Sequence, residues 1–64
     1  MNYVIFDSTA NMVASFDREK EAREALVEII DLEPDTADDY VIAEIDEKGE
    51  IVHTIAGASV VEYA

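Results

Sequence analysis

The chain contains no cysteine, so neither a disulfide framework nor a thiolate metal site can compensate for a small core. His53 is the one imidazole, which disfavours a His-based zinc site within one chain. Basic residues number only four. Gripping a nucleic-acid backbone or an anionic membrane needs clustered Lys and Arg, so a direct role of either kind is disfavoured. No run approaches the roughly 18 apolar residues of a membrane span. The chain opens directly into MNYVIFD, without a basic region or a small-residue cleavage site, and the expected location is cytoplasmic. Proline and glycine are scarce as well, so Pro34, Gly49 and Gly57 stand out as boundary markers.

What is present is acid and apolar residues. Sixteen Asp and Glu against four Lys and Arg leave a formal charge of −12 on 64 residues. Half of the chain is nevertheless apolar, with β-branched residues in short runs, which separates it from disordered acidic segments. Residues 1–64 therefore read as one small folded domain carrying its charge on the surface. A chain of this length removes only about 60% of its unfolded surface from water, so its stability margin is thin. Any staple is a partner subunit or unusually good packing.

Tyr3 to Phe6 is β-branched and aromatic, Asp7 to Asn11 supplies turn formers, and Met12 to Phe16 resumes strand chemistry, which together predict a β-hairpin. With no glycine in that turn, Asn11 is the residue expected at positive φ. From Asp17 the period changes. Ala22, Ala25, Leu26, Ile29 and Ile30 make one apolar helical stripe, Asp17 is the expected N-cap, and Pro34 stops the helix near Leu32. Glu33 to Asp39 is a connector. A second hairpin follows, from Tyr40 to Ile45 and from Ile51 to Ala56, around Asp46-Glu47-Lys48-Gly49 with Gly49 left-handed. Gly57 ends it. Ser59 to Tyr63 fits either a short strand or a terminal helical turn.

The two hairpins resemble each other. Tyr3-Val4-Ile5 matches Tyr40-Val41-Ile42, and DSTANMVASF from Asp7 matches DEKGEIVHTI from Asp46 without a gap. Duplication and convergence both account for this, and both predict turns of equal length and register. The expected fold class is α+β, a ββαββ arrangement with a four-stranded, mainly antiparallel sheet and one amphipathic helix on one face. A crossover that passes the first strand gives the preferred order 2-1-3-4, with a mixed sheet as the other topology.

One helix covers one sheet face, so the strands should alternate apolar with polar. They do so poorly. Tyr3 and Ile5 oppose Val4 and Phe6, Tyr40 and Ile42 oppose Val41, Ala43 and Ile45, and Ile51 and Ile55 oppose Val52 and Ala56. An apolar second face follows whichever parity meets the helix. It suggests a homodimer, unless the C-terminal segment folds back over it.

Charge is also uneven along the helix. Arg18, Lys20 and Arg23 come first, whereas Glu24, Glu28, Asp31, Glu33, Asp35, Asp38 and Asp39 follow with no base among them. This opposes the helix dipole, and Glu19–Arg23 and Lys20–Glu24 pairs at helical spacing offset part of the cost. The acidic run is a candidate surface for a basic protein partner; a solvated face that maintains solubility is the plainer explanation. Asp35, Asp38 and Asp39 lack the ligand spacing of a calcium loop. His53 sits mid-strand, and no nucleophile motif or glycine-rich phosphate loop is present. The expectation is a non-enzyme without cofactor or metal.

The run VASFDREKEAREAL, a strand ending in Phe16 followed by a helix with the EAxxAL pattern from Glu21 to Leu26, resembles short actinobacterial-type single-domain proteins. The same strand-then-helix stretch is similar to the N-terminal domain of HicB-type antitoxins. This chain departs from that second family in having no recognisable DNA-binding segment after the domain, which argues against a repressor role, and no functional residue carries over from either. The leading expectation is a homodimeric interaction module. The alternative is an acidic inhibitor that occupies a basic site on a toxin or nucleic-acid-binding protein.

Overall fold

A computed structural model of the chain describes residues 1–62. Strands β1 (Asn2–Phe6), β2 (Met12–Phe16), β3 (Val41–Ile45) and β4 (Ile51–Ala56) form one antiparallel sheet in the order 2-1-3-4. Helix α1 (Glu19–Leu32) and a 3₁₀ helix over Pro34–Asp39 connect the hairpins, and a short helix α2 (Gly57–Glu62) follows β4. The ββαββ reading and its preferred strand order hold. The segment beginning at Ser59 resolves as helix through Glu62; Tyr63 lies outside the described residues.

Helix α1 forms where the apolar stripe can be buried. Ala22, Leu26 and Ile30 are buried against the sheet, and Ala25, Val27 and Ile29 pack around them. Asp17 is not its N-cap. Arg18 holds that position in extended geometry and makes no side-chain cap. A missing cap costs about 1 kcal/mol. Each large apolar side chain buried contributes about 1.5–3 kcal/mol, so burial of the stripe holds the helix without a side-chain cap. Glu19 and Glu21 then fall in its first turn, at the favourable end of the dipole. At the other end Glu33 leaves the helical region, with φ −143° and ψ 83°, as the proline after it requires.

Ile5 and Ile42 from the central strands meet Leu26, Ile30 and Val60 in the core. Val60 belongs to α2, so α2 lies on the α1 side of the sheet. Gly57 makes that placement possible. Its N–H donates to the Tyr40 carbonyl at 2.9 Å, and a Cβ there would lie 3.0 Å from the same oxygen and collide with the Ala37 carbonyl.

The two hairpins share one construction. The Asp7 carboxylate accepts from the amides of Thr9 (2.9 Å) and Asn11 (3.0 Å), and the Asp46 carboxylate accepts from those of Lys48 and Glu50, both at 2.9 Å. Positive φ occurs at Ala10 (64°) and Gly49 (82°), not at Asn11. Asn11 is committed to the ladder, because its carbonyl accepts from the Asp7 amide and its own amide reaches the Asp7 carboxylate. The preceding residue therefore makes the turn.

Each edge strand also carries a bulge at the equivalent place. Ile5 pairs with Ala14 but Phe6 with Met12, leaving Val13 extra; Glu44 pairs with His53 but Ile45 with Ile51, leaving Val52 extra. The central pair Val4–Ala43 thus lies on an approximate twofold axis normal to the sheet, which exchanges Phe6 with Ile45 and Met12 with Ile51. The equivalence follows the gapless turn match. The Tyr3-Val4-Ile5 and Tyr40-Val41-Ile42 match is not structural, since Tyr40 precedes β3 and the counterpart of Val4 is Ala43.

Candidate functional site

The helices cover only one sheet face. Tyr3, Ile5, Phe16, Ile42 and Ile55 point into that covered side and pack with the core. By alternation and register, the other face carries Asn2, Val4 and Phe6 from β1, Met12 and Ser15 from β2, Val41, Ala43 and Ile45 from β3, and Ile51, Thr54 and Ala56 from β4. None of these side chains is ionisable, in a chain of which 31% is charged. Few charges occur in the strands at all, Glu44 and the imidazole of His53, and register places both on the covered face.

Bulging at Val52 shifts the parity of β4. Ile51 and Ile55, expected on one face, lie on opposite faces, because the extra residue restarts the alternation. Ile51 thereby joins the open face. Sequence reasoning could not place it, since nothing in Ile51-Val52-His53 marks a bulge except its match to Met12-Val13-Ala14 in the first hairpin.

The open face has relief. Val4 and Ala43 at its centre are buried by their neighbours, to 6% and 1% exposure, because they are small and flanked by larger side chains. Met12 and Ile51 stand clear at 67% and 58%. Phe6, Val41, Ala43, Thr54 and Ile51, with the Asp7–Ala10 turn as one wall, enclose an open depression of about 300 Å³. The alternative in which the C-terminal segment folds back over this face fails among the described residues. Helix α2 packs on α1 and the 3₁₀ helix instead.

The acidic candidates lie on the other side of the molecule. Glu24, Glu28 and Asp31 occupy the exposed stripe of α1, opposite its buried stripe, and Glu33, Asp35, Asp38 and Asp39 continue through the 3₁₀ segment, all exposed. The structure thus gathers them into the helix layer and keeps them from the apolar face. Glu24 meets Lys20 at 3.9 Å and Glu19 meets Arg23 at 3.0 Å, the two pairings expected from spacing. The first pair is exposed and the second half-buried, and i,i+4 pairs of this kind contribute about 0.3–0.5 kcal/mol each.

On the covered face Tyr3, Glu44 and His53 share one row across β1, β3 and β4. Partial desolvation, reinforced by the Glu44 and Glu19 carboxylates, holds the Tyr3 phenol above its usual range. At the first turn, the Thr9 hydroxyl and the Asn11 amide hold the Asp7 carboxyl below its usual range. Among the described residues, no cluster of three His, Asp or Glu side chains converges as a metal site, and no helix is long and apolar enough to cross a membrane.

Compared with protein-family models, curated proteins and solved structures, the chain gives no match.

Proposed function

We propose that this chain is a non-enzymatic protein–protein interaction module that pairs with a second copy of itself through the open sheet face. The observation that carries the reading is the charge-free character of that face, opposite a helix layer that bears much of the chain's acid. Water is displaced there without desolvating any ion, so association avoids the main penalty of burying a polar surface. A basic partner has no carboxylate to meet on this face, which favours an uncharged counterpart. A second copy supplies one.

Repulsion between two acidic copies does not forbid the pairing. A helix layer lies about 10 Å from its sheet and facing sheets pack about 10 Å apart, so the two acidic layers stand roughly 30 Å from each other. That is about three Debye lengths at 0.1 M salt. The remaining repulsion comes from the turns at the rim, and salt screens it.

Edge-to-edge pairing is the competing geometry for self-association. Both edge strands are bulged at Val13 and Val52, a device that twists an edge away from further pairing. The face is therefore the better surface.

Sedimentation at low and high salt tests the proposal. The expected result is a reversible dimer that persists or strengthens as salt rises, and a monomer under both conditions refutes it. A second reading rests on the acidic stripe, whose Glu28, Asp31 and Glu33 have no base nearby in sequence: an acidic inhibitor of a basic protein. Its signature is the reverse, a complex with a basic partner that weakens as ionic strength rises.

A further inference from the structure

Resting on the self-pairing reading, we infer that Met12 of each copy seats in the depression bounded by Phe6, Val41, Ala43, Ile51 and Thr54 of the other. The approximate twofold axis through Val4–Ala43 makes the two halves of the face alike in backbone but not in side chains. On one half Met12 projects at the edge, 67% exposed. Beyond Phe6, its cross-strand neighbour, lies the depression of about 300 Å³, where Ala43 is small enough to leave space and Ile51 forms a wall. A projecting knob and a recess on one surface are what an isologous twofold interface uses, since each copy contributes both parts to its partner.

Methionine suits the role. It is unbranched, its sulfur is polarisable, and it adapts to an irregular recess better than the β-branched isoleucine at its symmetry-related position. The recess is ample for one such side chain. Its other wall, the Asp7–Ala10 turn, is fixed by the Asp7 carboxylate bonds, so the shape of the recess does not depend on a mobile loop.

The contact area limits the pairing to a weak, reversible dimer. Four strands about 4.8 Å apart and five residues of about 3.3 Å each give a face of roughly 19 × 17 Å. Two such faces total roughly 650 Å² in projection, about half the lower end of specific interfaces, which bury about 1,200–2,000 Å² in total. An interface this small depends on a few anchoring side chains, and Met12 is the most exposed of the large apolar side chains on the face.

The absence of cysteine makes the test clean. Met12→Cys and Thr54→Cys variants of the full chain are mixed under mild oxidation, alongside a mixture of Met12→Cys with Ser15→Cys, the symmetry-related position on the wrong half. The expected result is an intermolecular disulfide between Met12→Cys and Thr54→Cys, with little in the control mixture. Met12→Ala, at a solvent-exposed position that folding tolerates, should raise the dimer dissociation constant on the order of a hundredfold, because both seats are lost together. A dimer that forms in sedimentation but cross-links through Ser15→Cys, or is indifferent to Met12→Ala, overturns the seat and leaves self-pairing intact. A monomer at every concentration overturns both.

Discussion

Replacing Gly57 by alanine should destabilise the fold far more than a single methyl group suggests. At that position the added Cβ would collide with the Ala37 carbonyl and come within 3.0 Å of the Tyr40 carbonyl, both backbone atoms that cannot rotate away. The Gly57 amide meanwhile holds the Tyr40 carbonyl at 2.9 Å, so relief of the clash stretches a buried hydrogen bond. Inserting a methyl group into such a site costs about 1–3 kcal/mol. If the start of α2 lifts instead, Val60, 2% exposed, leaves the core, at a similar cost of about 1.5–3 kcal/mol. Either route reaches a sizeable share of the few kcal/mol that stabilise a domain of this length. Thermal unfolding at fixed protein concentration should fall by roughly 5–20 °C for Gly57→Ala. Ser59→Ala, at an exposed position in the same helix, should change little. Fixed concentration matters because the proposed self-pairing would make the midpoint depend on it. A midpoint for Gly57→Ala indistinguishable from that of Ser59→Ala would refute the close-packing argument for α2.

The symmetry-related turns predict substitutions of opposite sign. Ala10→Gly relieves a left-handed alanine worth about 1–2 kcal/mol, offset by about 0.5–1 kcal/mol of glycine entropy, and should raise the unfolding midpoint slightly; Gly49→Ala, at φ 82°, should lower it. At the Asp7 turn the carboxyl is held below its ordinary value by the Thr9 hydroxyl and the Asn11 amide, so its stabilising contribution is complete at neutral pH. That contribution is lost as pH falls below the ordinary carboxylate value and through the lowered folded one, and the Thr9 and Asn11 amide shifts should follow the same transition. Amide shifts that titrate at the ordinary value would show that the turn does not favour the ionised form.

Local pattern carried most of the architecture. The stripe from Ala22 to Ile30 could only be a helix with one buried side, and Pro34 placed its end at Leu32 for steric reasons confined to neighbouring residues. The gapless match between the turns beginning at Asp7 and Asp46 implied equal length and register, because an aspartate accepting from amides two and four residues ahead is a local device. With both hairpins set and one long crossover between them, the sheet order had few alternatives. Poor alternation in β1 and β3 also made the apolar second face legible in outline, since side-chain period in a strand is a property of the backbone.

Tertiary structure decided what adjacent residues cannot encode. Arg18 rather than Asp17 precedes the helix, which burial of the stripe holds without a capping bond. Ala10 rather than Asn11 turns left-handed, because Asn11 is needed by both ends of the ladder. The bulge at Val52 moved Ile51 to the open face, and α2 docked beside α1 because Gly57 could approach Tyr40 and Ala37. These outcomes depend on which distant groups come within hydrogen-bonding or van der Waals reach. Composition determined that the chain would fold with acid outside; only the folded arrangement segregated charge from the one face that has none.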